Sequence, residues 1–224
     1  MGEVVGQLLP YALGVAISPV PVIAVILLLL APRAGGAGAG FLAGWLAGIV
    51  VVTTVFVLLA GAVEPSDDGP PTVVGWIKVA LGAALIGLAA REFRNRPGPG
   101  EEPALPGWMA AIDTVTPVRA LGLGAALSGI NPKNLGLCLA AGSTIGGAAL
   151  PPGRTVVAVA LFTVLAAATV AVPVLAYAVA ADRIRGPLDA LRGWLVRENG
   201  VIMGVLLAVL GVVLLGQGIE GAAA

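Results

Sequence analysis

The run Asn131-Pro132-Lys133-Asn134 holds the residues best suited to bind a charged group. It lies inside an apolar segment, residues 118–145, where burying an ammonium group costs about 3 kcal/mol or more. Asparagine is a preferred N-cap and proline is favoured at the first helical position, so a helix is predicted to begin at Pro132. Free backbone N–H groups at that helix start, together with the Lys133 charge, would attract an anion. We therefore predict that these four residues bind a phosphate, sulfate or carboxylate.

Two of these residues, Asn131 and Lys133, also have a structural explanation. In this alternative, Asn131 acts purely as the helix cap. Lys133 hydrogen-bonds carbonyls freed at the end of the preceding half-helix or extends to water. A second lysine, Lys78, lies a few residues inside the outer end of another apolar segment. Its side chain is expected to extend outward to water, and a substrate contact is the alternative.

A second pair of capping residue and proline, Ser18-Pro19, lies inside the apolar segment 4–30 and is followed by Pro21. Each pair divides a segment long enough to cross a bilayer into half-helices of about 15 Å, half the hydrocarbon thickness. Broken helices at corresponding positions of two halves point to a transporter binding site. Ser18, Pro19 and Pro21 are therefore predicted to form the first-half side of the substrate site, and helix capping is the alternative role of Ser18.

The elements that must position these residues are apolar helices. Of the 224 residues, 58% are hydrophobic and 11% are charged, which indicates an all-α membrane protein. The first and fourth of six predicted transmembrane helices are broken near mid-membrane. The six spans cover residues 4–31, 36–63, 72–92, 118–147, 153–181 and 199–219.

The composition excludes several chemistries. The chain has no histidine, which removes histidine-based metal sites, Ser-His and Cys-His nucleophile pairs, and histidine proton relays. No carboxylate falls at the centre of a predicted span, which disfavours a proton antiporter built on a buried carboxylate. The net charge of zero gives no basis for nucleic-acid binding. We predict no metal, cofactor or catalytic residue. The enzymatic alternative is a Ser128–Lys133 pair, and no further catalytic framework accompanies it.

Basic residues predict the orientation of the helices. The arginines in or beside the loops after the first, third and fifth spans are Arg33, Arg91, Arg94, Arg96, Arg119, Arg183, Arg185, Arg192 and Arg197. The opposite side carries Arg154 and an acidic run at residues 64–68. Because loops rich in Lys and Arg stay in the cytoplasm, both termini are predicted to lie outside the plasma membrane.

Three spans on each side of a central loop predict two inverted three-helix repeats. The repeats are residues 1–92 and 118–224, joined by a cytoplasmic linker at residues 93–117. The sequence Gly14–Ser18 is similar to Gly124–Ser128, and a proline break follows each within a few residues. An inverted repeat would aim the N-termini of two half-helices at the midplane from opposite sides.

Glycines recur every four residues at the start of the second span, at Gly36, Gly40, Gly44 and Gly48. Small residues at this spacing allow a neighbouring helix to approach closely. Packing within the chain is the favoured interpretation, and a homodimer contact is the alternative.

Residues 182–197 place Ile184, Leu188, Leu191 and Leu195 at helical spacing, with arginines on other faces and Trp194 nearby. This pattern predicts a short interfacial helix on the cytoplasmic leaflet. The alternative is an ordinary basic loop that only fixes topology.

Two stretches resemble one family of membrane proteins. Residues 12–33, with Ser18-Pro19-Val20-Pro21, and residues 128–135, with the Asn-Pro-Lys-Asn motif, resemble the GAP/Sap family. These are glycopeptidolipid-export and sulfolipid-addressing proteins within the LysE exporter superfamily. The resemblance covers the whole six-span plan. It implies a protein that assists export of cell-envelope glycolipids or related lipid-linked material, without fixing the substrate.

Three functions follow from these observations. The favoured one is a membrane transporter or flippase for an anionic lipid-linked or glycolipid substrate, whose charged group contacts Lys133 while its chain stays in lipid. The first alternative is an exporter of amino acids or other small anion-bearing solutes. The second is a non-transporting accessory subunit of a larger lipid exporter, with residues 183–197 as its docking surface.

Overall fold

The chain is almost entirely helical in the part that a computed structural model describes, residues 2–31, 34–62, 71–94, 112 and 114–223. The helices in chain order are α1 (Gly2–Ala16), α2 (Pro19–Leu30), α3 (Ala34–Ala62), α4 (Pro71–Arg94), α5 (Pro117–Gly129), α6 (Pro132–Gly147) and α7 (Pro152–Ala223). Among the described residues no strand occurs. The prediction of an all-α protein is confirmed.

Both predicted helix starts are confirmed. α2 begins at Pro19 and α6 begins at Pro132, each preceded by a residue with extended backbone, Ser18 and Asn131. The axes of α1 and α2 differ by 54° across their break. We call the α1–α2 junction the first break and the α5–α6 junction the second break. Their depth in a membrane stays a prediction.

Two of the described helices are long and apolar enough to cross a membrane, over Ala34–Ala60 and Pro152–Glu220. The bent α1–α2 pair adds a third if it counts as one crossing. α7 has 72 residues, too many for one crossing of a hydrocarbon core, and it consists of two helices joined at a kink. Its backbone leaves helical geometry at Ala180, with φ −146° and ψ 50°. The six-span inverted repeat remains a prediction.

The helices group into two compact units. The first unit comprises residues Met1–Val63 and Ala104–Val196, and the second comprises Glu64–Pro103 and Arg197–Ala224. The first unit therefore contains the helices of predicted spans 1, 2, 4 and 5. The second contains those of spans 3 and 6, so each unit draws corresponding helices from both predicted repeats. The division into repeats at residues 92 and 118 stays a prediction.

In the first unit, α3 runs parallel to α5 along the glycine stripe. Gly36 and Gly40 face Pro117, Gly44 faces the Leu121 carbonyl, and Gly48 faces the Ser128 hydroxyl.

The contact is equally close from the α5 side, where Gly124 faces the backbone of Phe41 and Trp45. A methyl group at Gly40, Gly44 or Gly124 would collide with backbone of the facing helix. The stripe thus packs within the chain, as favoured from the sequence, and a homodimer stays a prediction without an assigned surface.

In the second unit, α4 packs against the last part of α7 through another pair of glycines. A Cβ at Gly82 would lie 2.7 Å from the Gly211 carbonyl, and one at Gly211 would lie 2.8 Å from the Gly82 carbonyl. At the C-terminal end of α4, the Phe93 ring lies against Gly204. The same device, small residues at a helix crossing, therefore operates in both units.

Some predictions concern residues outside the described part of the chain. These are Arg33, Arg96, the acidic run at residues 64–68 and most of the linker at residues 93–117. The side chain of Lys78 also lies outside the described part. Residues 182–197, by contrast, are helical as predicted and belong to α7.

Candidate functional site

The first break frees backbone carbonyls at the end of α1. The last four carbonyls of an α-helix have no N–H partner within that helix, and α1 ends at Ala16. Two of the freed carbonyls take side-chain donors from distant helices. The Lys133 Nζ donates to the Gly14 oxygen at 2.9 Å, and the Thr169 Oγ1 donates to the Ala16 oxygen at 2.7 Å.

Lys133 therefore joins the two breaks, across 119 residues of sequence. Its backbone belongs to the first turn of α6, where a positive charge opposes the helix dipole. Its ammonium group lies at the C-terminal end of α1, where a positive charge is favourable. This bond matches the structural alternative for Lys133, except that the carbonyl belongs to the other half. An ammonium has three N–H donors, so this bond leaves capacity for a further acceptor.

The second break satisfies its own groups locally. Asn131 caps α6, because its Oδ1 accepts from the Lys133 backbone N–H at 3.0 Å. Asn134 Nδ2 donates to the Leu127 oxygen at 3.0 Å. That carbonyl corresponds to Gly14 in the first break, since both lie four residues before the capping residue. A neutral amide thus does at the second break what the Lys133 ammonium does at the first.

Asn134 also has an unused acceptor. Its side chain is fully buried, and its Oδ1 has no hydrogen-bond partner within the described residues. A buried acceptor without a donor costs about 1–3 kcal/mol. The atom is therefore ready to accept from an O–H or N–H group that enters between the helices.

Ser18 fills the N-cap position of α2 with φ −98° and ψ 109°, yet its side chain makes no capping hydrogen bond. Its side chain is buried, as are Pro19 and Pro21, whereas Pro132 is exposed. The structure thus brings Lys133 to the first break through Gly14, four residues before Ser18. A substrate contact at any of these positions stays a prediction.

Sequence reasoning missed Thr169 and the role of Gly14. A threonine inside an apolar helix usually donates to a carbonyl of its own preceding turn, as Thr163 does to Val159 at 2.8 Å in α7. Thr169, six residues further along α7, instead donates to the Ala16 carbonyl of α1, which is 153 residues away in sequence. Both threonines look alike in the sequence, so no local signal separates them. Gly14 lets α6 approach, because a Cβ there would lie 2.9 Å from the Leu137 side chain.

One protein-family model matches most of the chain. A family model described as Sap, sulfolipid-1-addressing protein, matches residues 8–220. The chain belongs to this family. The match to the Sap family includes both breaks, Lys133 and Thr169, and it confirms the resemblance drawn from the two motifs. No curated protein and no solved structure matches the chain.

Proposed function

We propose that this Sap-family chain is a membrane transporter or flippase that assists export of anionic lipid-linked or glycolipid cell-envelope material. The observation that carries the proposal is the Lys133–Gly14 bond of 2.9 Å, which brings a cation and a helix N-terminus to the other half's break. The family description, sulfolipid-1-addressing, points to lipid-related export or localisation rather than to catalysis.

Lys133 would exchange partners during transport. In the structure its ammonium group donates to the Gly14 carbonyl. An anionic headgroup offers a stronger, charge-assisted acceptor, and the positive end of the α6 dipole adds to the attraction. Moving the ammonium toward the anion would remove the cation from the end of α1. Substrate binding would then loosen α1 from α6, which couples occupancy to a change of conformation.

Asn131 and Asn134 would complete the site on the α6 side. Asn131 fixes the backbone N–H of Lys133 and so orients the first turn. Asn134 offers its unpartnered Oδ1 to a donor group that neighbours the substrate's anion. The acyl or prenyl chain would stay in lipid, so that only the headgroup enters the protein.

We propose a plasma-membrane location with both termini outside. Parallel packing of α3 and α5 supports an odd number of crossings between them, and α4 is the described helix that lies between them in sequence.

Cysteine labelling tests this topology. Single cysteines at residue 224 or 67 should react with an impermeant reagent in intact cells, and one at residue 98 should not. The parent for these variants is Cys138→Ala, since Cys138 is the single native cysteine. Labelling at residue 98 would overturn this topology.

Reconstitution tests the activity directly. The purified chain, alone in liposomes, should move a fluorescent anionic glycolipid between leaflets faster than protein-free liposomes do. Movement of small amino acids instead would favour the solute exporter. A folded chain that moves neither would contradict the proposal and favour the accessory subunit.

A further inference from the structure

The part of α7 after its kink, residues 181–196, has two apolar sides, and only one packs against the protein. Leu188 and Leu195 are buried, with 6% and 8% of their surface exposed. Leu191 and Trp194 are 38% and 49% exposed. The four apolar positions predicted from sequence as one face therefore divide, because Leu191 points away from the protein contact.

The exposed apolar residues form one continuous flank. Pro187, Leu191 and Trp194 follow at spacings of four and three, which puts them on one side of a helix. Arg183 is exposed and lies one turn before Pro187 on the same side. We call these four residues the Arg183–Trp194 flank.

The other flank of the helix is polar and already has partners. Arg192 pairs with Asp189 at 3.3 Å, and Arg185 donates to the Tyr177 hydroxyl at 3.3 Å. The Arg183–Trp194 flank carries no carboxylate to neutralise its arginine. The two flanks thus differ in hydrophobicity and in free positive charge.

We propose that the Arg183–Trp194 flank lies in the membrane interface and binds the anionic lipid leaflet. Leu191 and Pro187 would enter the boundary of the acyl chains, Trp194 would sit at headgroup level, and Arg183 would contact a lipid phosphate. Amphipathic helices with this composition lie in the interface plane, and tryptophan is enriched there. A juxtamembrane arginine is attracted by the negative surface potential of an anionic leaflet. The break in helical geometry at Ala180 allows the segment to leave the direction of the preceding span.

A lipid occupant fits this flank better than a protein. Its centre is apolar and its single charge is at one end, whereas interfaces between proteins carry a polar rim around the apolar centre. The polar flank, with Asp189 and Arg192, faces the other way. Lipid binding by this flank is independent of the substrate of the site at the two breaks.

Spin labels test the orientation of the helix. Cysteine replaces Leu191 on the proposed lipid side or Asp189 on the polar side, each in full-length Cys138→Ala protein reconstituted in phosphatidylcholine with and without phosphatidylglycerol. The label at residue 191 should collide more with oxygen than with a water-soluble nickel complex, and the label at residue 189 should show the reverse. Two labels with equal access to the nickel complex would overturn the proposal and leave the flank free for a protein partner.

Two arginine variants test the lipid charge. Phosphatidylglycerol should deepen the label at residue 191. Arg183→Gln should remove that dependence, and Arg185→Gln, on the polar flank, should keep it. If phosphatidylglycerol has no effect on depth in the parent protein, or if the two variants behave alike, specific binding of the anionic leaflet by Arg183 is refuted.

Discussion

The two helix breaks begin with the same kind of sequence and are held together in different ways. At the second break, Asn131 and Asn134 satisfy the freed groups from within the same ten-residue stretch. At the first break, the freed carbonyls of Gly14 and Ala16 depend on side chains from α6 and α7. The second break is therefore self-contained, and the first break is maintained by tertiary contacts. A conformational change can release the first break without unwinding a helix.

Packing around the breaks differs in the same sense. The helix before the second break, α5, packs directly against the backbone of α3 at Gly44 and Gly124. The helix before the first break, α1, meets α6 at Gly14 through the flexible end of Leu137. Backbone cannot move aside, whereas a leucine side chain can change rotamer. Between α1 and α5, α1 is therefore the helix better able to move.

Removal of the ammonium should have the largest effect. Lys133→Ala is expected to reduce transport to the level of protein-free liposomes, because both the anion contact and the link between the breaks are lost. Lys133→Arg should retain part of the activity, since a planar guanidinium does not match a compact ammonium. The lost hydrogen bond and the relief of a buried charge oppose each other, so stability should change by less than about 1.5 kcal/mol.

Lys78→Ala serves as the matched control and should have the smaller effect on transport. Thermal unfolding and liposome transport are measured on the same purified variants. Normal transport by Lys133→Met, which keeps the length but not the charge, would show that the lysine acts only through packing.

Glycine substitutions should show the difference in packing. Gly124→Ala places a methyl group against the α3 backbone and should cost about 1–3 kcal/mol of unfolding free energy. Gly122→Ala, two residues away in α5 with open space around it, should raise stability by about 0.5–1 kcal/mol, because alanine has the higher helix propensity. Gly14→Ala should fall between them, because Leu137 can yield. Thermal midpoints in one detergent rank the three, and a Gly14 effect larger than the Gly124 effect would reverse the comparison.

Two threonines of α7 test how the first break depends on distant side chains. Thr169→Val removes the donor to Ala16 and should cost about 1 kcal/mol. Thr163→Val removes a bond to Val159, a carbonyl that its own helix already satisfies, and should cost less than about 0.5 kcal/mol. Thr169→Ser should restore the lost stability. Equal losses at the two threonines in thermal unfolding would count against a special role of the Ala16 carbonyl.

The capping residues should give the smallest difference. Asn131→Ala removes an observed capping bond and is expected to cost about 1 kcal/mol. Ser18→Ala removes a hydroxyl that makes no capping bond, so the unfolding free energy should fall by only about 0.3 kcal/mol. Chemical or thermal unfolding of both variants measures the contrast, which vanishes if Ser18 caps α2 in the membrane.

Both breaks were predictable because their cause is local. A proline has no N–H and clashes with the preceding turn, and a capping residue before it marks where the next helix begins. The glycine stripe likewise predicted a close helix contact, but four glycines can face any neighbour. Only the structure shows that the neighbour is α5, since Gly44 and Gly124 meet the backbone of the opposite helix.

The sequence alone determined that this is an apolar, helical chain with two proline breaks and one lysine that needs a partner. Those properties follow from hydrophobicity and backbone chemistry within a few residues. The tertiary structure decided that Lys133 bonds Gly14 of the other half and that Thr169, rather than Thr163, reaches α1. These contacts join residues 119 and 153 positions apart, and packing of several helices sets them. A side chain's own neighbours in sequence carry no information about which distant carbonyl lies within its reach.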